Sequence, residues 1–318
     1  MNRFSAFLLL SSLLASVPAR AETDYLHPSQ ENVIYGMDHG AALLLDVYRP
    51  EKPNGYGVVF IMGTGFTANG EYADVPLKEL DVDLHVMRKI FPNFMGEPCQ
   101  LFKPMHDAGF TIFSLDHRLA PKNQLPTMVR DVQRAVQFIR FHAEDYGIDS
   151  ERIGGIGHSS GATMIAFLDV LDDIADPDAY DPVDRMSSRL QAVVPMSGLH
   201  DALGALGQRS TAAAVLGGVV GHLVLWQPEG HPIYEEYRKA STISYVTPDD
   251  GPMLVMHGMQ DDVVDIKQSE ALVAALEAQG VEHEYIPLPR TTHGTVLEPI
   301  DVAPCSYAAQ WMADVLIE

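Results

Sequence analysis

The chain has 318 residues, of which 43 are acidic and 21 basic, so its formal net charge at pH 7 is −22. This charge argues against nucleic acid, anionic membrane surfaces and polyanionic compounds as partners. Two cysteines are too few for a disulfide scaffold, and neither their separation nor the placement of the 13 histidines matches a metal site. We therefore expect a protein that needs no metal and no cofactor.

The first 21 residues predict a cleaved secretory signal peptide. Arg3 precedes the apolar run 4–17, and the small-residue pattern Ala19-Arg20-Ala21 follows it. The run is short for a bilayer span, and no stop-transfer pattern comes after it. Because two arginines leave with this segment, the net charge of the mature chain becomes −24. We expect an exported protein, periplasmic or extracellular, with no membrane span after signal removal.

The mature chain, residues 22–318, predicts a single domain of the α/β class. We find no linker, internal repeat or low-complexity tract in it. Short apolar or β-branched runs alternate with longer helical patterns, which favours a mainly parallel central sheet with helices on both faces. The predicted strands are 42–48, 58–62, 111–115, 153–157, 192–195, 253–257 and 283–287. The predicted helices are 127–145, 162–171, 266–278 and 307–317.

Two stretches do not fit a minimal alternating core and predict insertions, at about 69–98 and 200–244. The second contains the apolar run 211–226, which Gly217, Gly218 and Gly221 interrupt. This run is compatible with a packed cap helix or with an apolar wall that faces a substrate. Both interpretations stay open, because loops beyond the carboxyl ends of strands are where such folds build their sites.

The run Gly157-His158-Ser159-Ser160-Gly161 predicts a nucleophile. It follows a strand and opens a helical pattern, and flanking glycines permit the tight turn that exposes a serine there. Ser159 is centred between the glycines, whereas Ser160 offers its backbone N–H to an oxyanion at a helix N-terminus. The alternative is a glycine-rich packing turn without chemistry.

A serine hydroxyl needs a base and a carboxylate that orients the base. Asp261 follows the strand 253–257, although spacing alone makes Asp262 and Asp265 nearly equal alternatives. His293 follows the next strand, which completes the order Ser, Asp, His. His257 and His158 are interpreted as structural or pocket-shaping residues. The other histidines considered have no carboxylate at a matching offset and are His106, His117, His200, His222 and His231.

These residues resemble the hormone-sensitive-lipase-like and bacterial feruloyl and acetyl esterase branch of the α/β hydrolases. The matching stretches are 45–50, 116–121, 157–161, 187–194 and 257–258 with Asp261. The resemblance implies the α/β-hydrolase fold with a cap-like insertion. It also implies a serine carboxylic-ester hydrolase that forms an acyl-enzyme with small or short-acyl esters, including acetyl or feruloyl esters. A serine peptidase or amidase of the same fold, and a catalytically silent binding protein, are the alternatives.

The oxyanion loop departs from that family's pattern. A His-Gly-Gly-Gly run supplies oxyanion donors in the family, and the matching run here is Met62-Gly63-Thr64-Gly65. Backbone amides survive any side-chain change except to Pro. The resemblance therefore implies that the backbone N–H groups of Thr64, Gly65 and Ser160 form the oxyanion hole.

The resemblance also bears on the two cysteines. It places the helix after Cys99 and the helix after Cys305 on the same face of the sheet. A disulfide between Cys99 and Cys305 is compatible with this placement in an oxidising compartment, and so are two free thiols.

Overall fold

The structure is a computed structural model that describes residues 26–66, 99–120, 122–205, 219–220, 228–293 and 304–317. The predicted signal peptide, the insertion at 69–98 and most of the run 211–226 lie outside the described residues. In the described part of the chain, no helix is long and apolar enough to cross a membrane.

One eight-stranded, mostly parallel sheet forms the centre of the fold. Its strands in chain order are β1 (Gln30–Asp38), β2 (Ala41–Tyr48), β3 (Gly57–Ile61), β4 (Thr111–Leu115), β5 (Ile153–His158), β6 (Val193–Met196), β7 (Met253–Gly258) and β8 (His283–Leu288). Their order across the sheet is β1-β2-β4-β3-β5-β6-β7-β8. Strand β2 pairs antiparallel with β1 and β4, and every later neighbouring pair is parallel. The predicted α/β-hydrolase class is confirmed.

All seven predicted strands are present within two residues of their predicted ends, but β1 was missed. Its pairing with β2 is shifted between Gln30 and Val33 and again between Ile34 and Gly36. Such bulges break the two-residue alternation by which an edge strand is recognised. His39 and Gly40 join the hairpin with positive φ angles of 46° and 82°, a turn that suits the right-handed twist of the strands.

Helices cover the sheet, and those described are α1 (Cys99–Asp107), α2 (Leu125–Phe141), α3 (Ala143–Tyr146), α4 (Ser160–Val170), α5 (Ala202–Ala205), α6 (Pro232–Lys239), α7 (Lys267–Gln279) and α8 (Pro304–Ile317). The predicted helix 127–145 is two helices that meet at His142. Two 3₁₀ turns, Pro182–Arg185 and Thr242–Ser244, complete the described helical segments.

Two hydrophobic layers hold the helices to the sheet. In β3, Val59 and Ile61 face the layer that includes α2, α4 and α7, whereas Val58 and Phe60 face the layer that includes α1 and α8. All four side chains are fully buried. Burial of a large aliphatic or aromatic side chain contributes about 1.5–3 kcal/mol, so this alternation fixes both the register and the position of β3.

Helices α1 and α8 lie on the same face of the sheet and pack together. This arrangement agrees with the placement that the resemblance implied for the two cysteine-bearing helices. The side chains of Cys99 and Cys305 lie outside the described residues, so their disulfide stays a prediction. The described parts of the predicted insertion 200–244 form α5, α6 and a 3₁₀ turn between β6 and β7, and their role as a cap also stays a prediction.

A buried carboxyl group lies at the carboxyl end of α4. The Asp169 side chain is fully buried, and its Oδ1 accepts a hydrogen bond of 3.1 Å from the Gly251 amide. Its Oδ2 has no hydrogen-bond partner among the described residues. Burial, and then the negative charge of Asp250, raise the pKa of Asp169 well above its ordinary value of 3.8.

We expect the substitution Asp169→Asn to stabilise the protein near neutral pH. Since the folded-state pKa is raised, the unfolded chain releases this proton first, and the wild-type protein loses stability as pH rises above about 4. The Tm of the variant should exceed that of the wild type by about 2–4 °C at neutral pH, and the difference should shrink toward pH 4. Thermal melts over this pH range measure it. Asp172→Asn, an exposed control with the same charge change, should show no such trend.

Candidate active site

The turn from β5 into α4 holds Ser159 in a strained backbone conformation. Its φ and ψ are 55° and −123°, and a residue other than glycine at positive φ costs of order 1–3 kcal/mol. The Ser159 amide donates a 2.9 Å hydrogen bond to the Met196 carbonyl at the end of β6. This contact ties the turn to the next strand and presents the hydroxyl at the carboxyl edge of the sheet.

The glycines of this turn are required by close backbone packing. A Cβ at Gly157 would lie 2.5 Å from the Gly161 carbonyl oxygen, and a Cβ at Gly161 would overlap the Ile61 carbonyl. Side chains at either position would therefore push α4 away from β3 and β5. The predicted strand, turn and helix are present, and the packing explains why glycine occupies both flanking positions.

The structure brings together the three residues that the sequence predicted as a catalytic set. His293 Nε2 lies 2.9 Å from Ser159 Oγ, and His293 Nδ1 lies 2.7 Å from Asp261 Oδ2. His293 is 3% exposed, and the Asp261 side chain is fully buried. The distances are those of a hydrogen-bonded chain from hydroxyl to imidazole to carboxylate, so the imidazole can take the Ser159 proton.

The turn after β7 keeps Asp261 ionised. Its Oδ1 accepts hydrogen bonds from the amides of Val263 at 3.0 Å and Val264 at 2.8 Å. Burial by itself would raise the pKa of Asp261, but hydrogen bonds from His257 and His293 and from the Val264 amide outweigh it and hold the pKa far below its usual range. A carboxylate with a depressed pKa stays charged and holds the imidazole in one orientation.

The tertiary structure separates Asp261 from its two sequence alternatives. Asp262 is exposed, and Asp265 Oδ1 accepts a 3.0 Å hydrogen bond from the Lys267 amide at the start of α7.

His158, next to Ser159 at the end of β5, is buried, and its Nε2 donates to the His293 carbonyl at 2.9 Å. Burial, and then the neighbouring His293, lower the pKa of His158 to about 3. His158 is therefore a neutral residue that holds the His293 backbone through this hydrogen bond.

Three of the other candidate histidines have partners outside the hydrogen-bonded chain. His200 Nδ1 lies 3.0 Å from Thr242 Oγ1, and His117 Nδ1 lies 2.8 Å from the Arg118 carbonyl. His231 accepts a hydrogen bond from the Ile233 amide at the start of α6. His106 lies in α1, and His222 lies outside the described residues.

The loop after β3 lies directly against the nucleophile. A Cβ at Gly63 would overlap the Ser159 Cβ and lie 2.7 Å from the His158 carbonyl. The Thr64 amide, a predicted oxyanion donor, donates a 2.8 Å hydrogen bond to Ser160 Oγ. An oxyanion that binds the Thr64 amide must therefore displace the Ser160 hydroxyl. Gly65, at φ 64°, carries the other predicted amide of this loop.

Two contacts of this site were missed by sequence reasoning. The Ser160 hydroxyl, to which no role was given, accepts from Thr64. His257, interpreted as a structural residue, has its Nε2 3.3 Å from Asp261 Oδ2. The four-residue spacing of His257 and Asp261 was visible, but a strand end followed by a turn does not fix the distance between two such side chains.

Curated proteins are similar to this chain in sequence. The chain is 27% identical to the esterase LipC of Mycobacterium tuberculosis over 89% of its own length and 64% of that protein. It is 25% identical to the probable carboxylic ester hydrolase LipM of the same organism over 63% of its length and 46% of LipM. It thus spans between about half and two thirds of these curated relatives.

Solved structures give the same fold. A truncated carbohydrate esterase from gut microbiota superposes with a TM-score of 0.69 and 22% identity, and the match covers 91% of this chain and 96% of that one. The model of the BD-FAE family matches residues 92–276, which contain the Ser159 turn and Asp261. Since this match covers more than half of the sequence, the chain belongs to the BD-FAE family of α/β hydrolases.

Proposed function

We propose that the protein is a serine carboxylic-ester hydrolase that acts on small or short-acyl esters through an acyl-enzyme. The observation that carries the proposal is the hydrogen-bonded chain Ser159 Oγ, His293, Asp261, with distances of 2.9 Å and 2.7 Å. Ester hydrolases among the relatives support the same reaction class.

The proposed reaction has two acyl-transfer steps. Ser159 Oγ attacks the ester carbonyl carbon while His293 Nε2 takes the hydroxyl proton, and the carbonyl oxygen becomes an oxyanion. Collapse of this intermediate breaks the bond to the alcohol, which leaves with the proton from His293. Water then attacks the acyl group with His293 again as base, and the carboxylic acid leaves as Ser159 regains its proton. Asp261 stabilises the imidazolium in both steps.

Backbone amides of Ser160, Thr64 and Gly65 are the proposed oxyanion donors. The Ser160 amide lies in the first turn of α4, where the helix dipole favours negative charge. Removal of one such donor from a hydrolase typically costs about 10²–10³ in kcat. The Thr64 amide joins the hole only after it leaves Ser160 Oγ, so the resting loop and the loop in the transition state differ by one hydrogen bond.

Acetyl and feruloyl esters are the proposed acyl classes. This choice follows the family resemblance, and one structural neighbour is described as a carbohydrate esterase. A peptidase or amidase would use the same three residues, so the leaving group distinguishes the alternatives. A panel of esters of graded acyl length, run beside matched amides, should give hydrolysis of the short esters and little or none of the amides.

Ser159→Ala should remove ester hydrolysis and leave the fold intact. Loss of a nucleophile of this kind lowers kcat by about 10⁴-fold or more, and labelling by a fluorophosphonate probe should disappear with it. The release of 4-nitrophenol from its acetate measures the rate, and a thermal melt checks folding. Ser150→Ala, at a partly exposed serine that precedes β5 at the opposite end of the strand from Ser159, is the control. Ser159-independent turnover, or a wild-type protein that does not react with the probe, would contradict the proposal.

Ser160→Ala tests the oxyanion loop. This change removes the acceptor that holds the Thr64 amide, so the amide becomes available to the oxyanion without an exchange of partners. We expect kcat to rise by about 2- to 10-fold, because one net hydrogen bond is worth about 0.5–1.5 kcal/mol. Ser160→Thr keeps the hydroxyl and should leave kcat near the wild-type value. A fall in kcat for Ser160→Ala would instead indicate that the hydroxyl is needed to hold the loop.

Export with cleavage after Ala21 is also part of the proposal, and the Arg3, apolar and Ala19-Arg20-Ala21 pattern supports it. Expression of the full chain in a bacterium should give a periplasmic or secreted protein whose N-terminal residue is Glu22 by mass spectrometry. Replacement of Ala19 and Ala21 by bulky residues should leave the precursor uncleaved. A cytoplasmic product that keeps residues 1–21 would refute this part.

A further inference from the structure

A second histidine contacts the proposed catalytic carboxylate, at the same oxygen, Oδ2, that His293 contacts. His257, near the end of β7, is fully buried. Its Nε2 lies 3.0 Å from the Val264 carbonyl oxygen and 3.3 Å from Asp261 Oδ2. Neither Val264 nor Asp261 lies on β7, so His257 connects the sheet to the turn that carries the carboxylate.

The partners of His257 define which ring nitrogen carries the proton. A carbonyl oxygen and an ionised carboxylate only accept hydrogen bonds, so Nε2 must be the donor. In a neutral imidazole Nδ1 is then an acceptor, and the buried Ser269 hydroxyl of α7 lies 2.7 Å from it and can donate. The opposite tautomer would place a lone pair of Nε2 against two oxygen acceptors. The two oxygen acceptors at Nε2 therefore select the form of His257 that donates toward Asp261, and the Ser269 hydroxyl is compatible with it.

Asp261 then receives donors on both oxygens. The amides of Val263 and Val264 serve Oδ1, while His293 and His257 approach Oδ2. The contact from His257 is the longest of the four, and its hydrogen is shared with the Val264 carbonyl. His257 Nε2 shares one hydrogen between the carboxylate and the carbonyl of the turn that carries it. This shared hydrogen bond holds the carboxylate in a fixed position relative to its turn.

We propose that His257 is a positioning residue for the proposed hydrolase, which holds Asp261 in the orientation that His293 requires and is itself oriented by Ser269. The inference rests on the proposed function for its effect on rate, and on geometry alone for its effect on the bond between His293 and Asp261. The hydrogen-bonded chain thus extends from Ser159 through His293, Asp261 and His257 to Ser269.

Other buried titratable groups around this chain do not share the role. His158 donates to the His293 carbonyl and not to the carboxylate. His200 pairs with Thr242, and burial, followed by the nearby His257, lowers the pKa of His200 to about 3. His200 therefore offers a matched control, because it is a buried neutral histidine close to the same residues that has no hydrogen bond to Asp261 among those described.

The test compares two substitutions at His257 whose side chains differ in length. In His257→Gln the amide can extend to the position of Nε2 and donate to Asp261, whereas in His257→Asn the shorter side chain cannot reach it. We expect His257→Asn to lower kcat by about 10- to 100-fold with KM changed less than about twofold, and His257→Gln to recover most of the loss, because misplacement of a catalytic group acts on the transition state.

The second readout does not depend on activity. The proton that His293 Nδ1 shares with Asp261 gives a downfield ¹H NMR resonance, and this resonance should shift in His257→Asn and, by less, in Ser269→Ala. It should stay in place in His200→Asn. Thermal melts of the four variants separate this effect from a loss of folding, and Ser269→Ala decides the question if His257→Asn does not fold.

An unchanged resonance and an unchanged kcat in folded His257→Asn or Ser269→Ala would overturn the inference. Equal losses in His257→Asn and His257→Gln, or the same shift in His200→Asn, would also overturn it, since they would indicate a packing role only. If the wild type shows no Ser159-dependent hydrolysis, the proposed function fails, while the NMR comparison still decides whether His257 acts on Asp261.

Discussion

The close approach of α4 to β3 and β5 is the constraint on which the rest of the site depends. A Cβ at Gly161 would overlap the carbonyl of Ile61, and Ser159, two residues earlier in the same turn, has a positive φ. An isolated turn would relax to remove strain of this size. Here the hydrophobic layers on both faces of the sheet hold the strand and the helix in place, so the strain persists and the hydroxyl points outward.

The same packing explains why a buried carboxylate can remain charged at this edge of the sheet. The Asp261 side chain is fully buried from water, and its charge is stabilised by two amides of its own turn and by two imidazoles. Those donors come from β7, from the turn after it and from the segment after β8. Three separate parts of the chain, the turn at Ser159, residues 257–264 and the segment that holds His293, must therefore come together before the nucleophile, the carboxylate and the base can meet.

The loop after β3 illustrates how a backbone function tolerates side-chain change. Met62 and Thr64 depart from the His-Gly-Gly-Gly pattern that the family resemblance implies for this loop, yet the loop lies against Ser159. Gly63 is the position that this approach requires, because a side chain there would overlap the nucleophile. The Ser160 hydroxyl accepts a hydrogen bond from the Thr64 amide, so the residue after the nucleophile holds this loop by its side chain.

The sequence by itself determined the α/β class, seven of the eight strands and the candidate residues Ser159, Asp261 and His293. These features are local: a buried parallel strand is a short apolar run, and a strand, glycine turn and helix are read from adjacent residues. Sequence spacing could not separate Asp261 from Asp262 and Asp265, nor reveal the bulged strand β1. It also could not show the contact of Ser160 with Thr64 or that of His257 with Asp261. Only the tertiary structure decided these, because each depends on side-chain directions and strand register that bring distant or turn-separated groups within hydrogen-bonding distance.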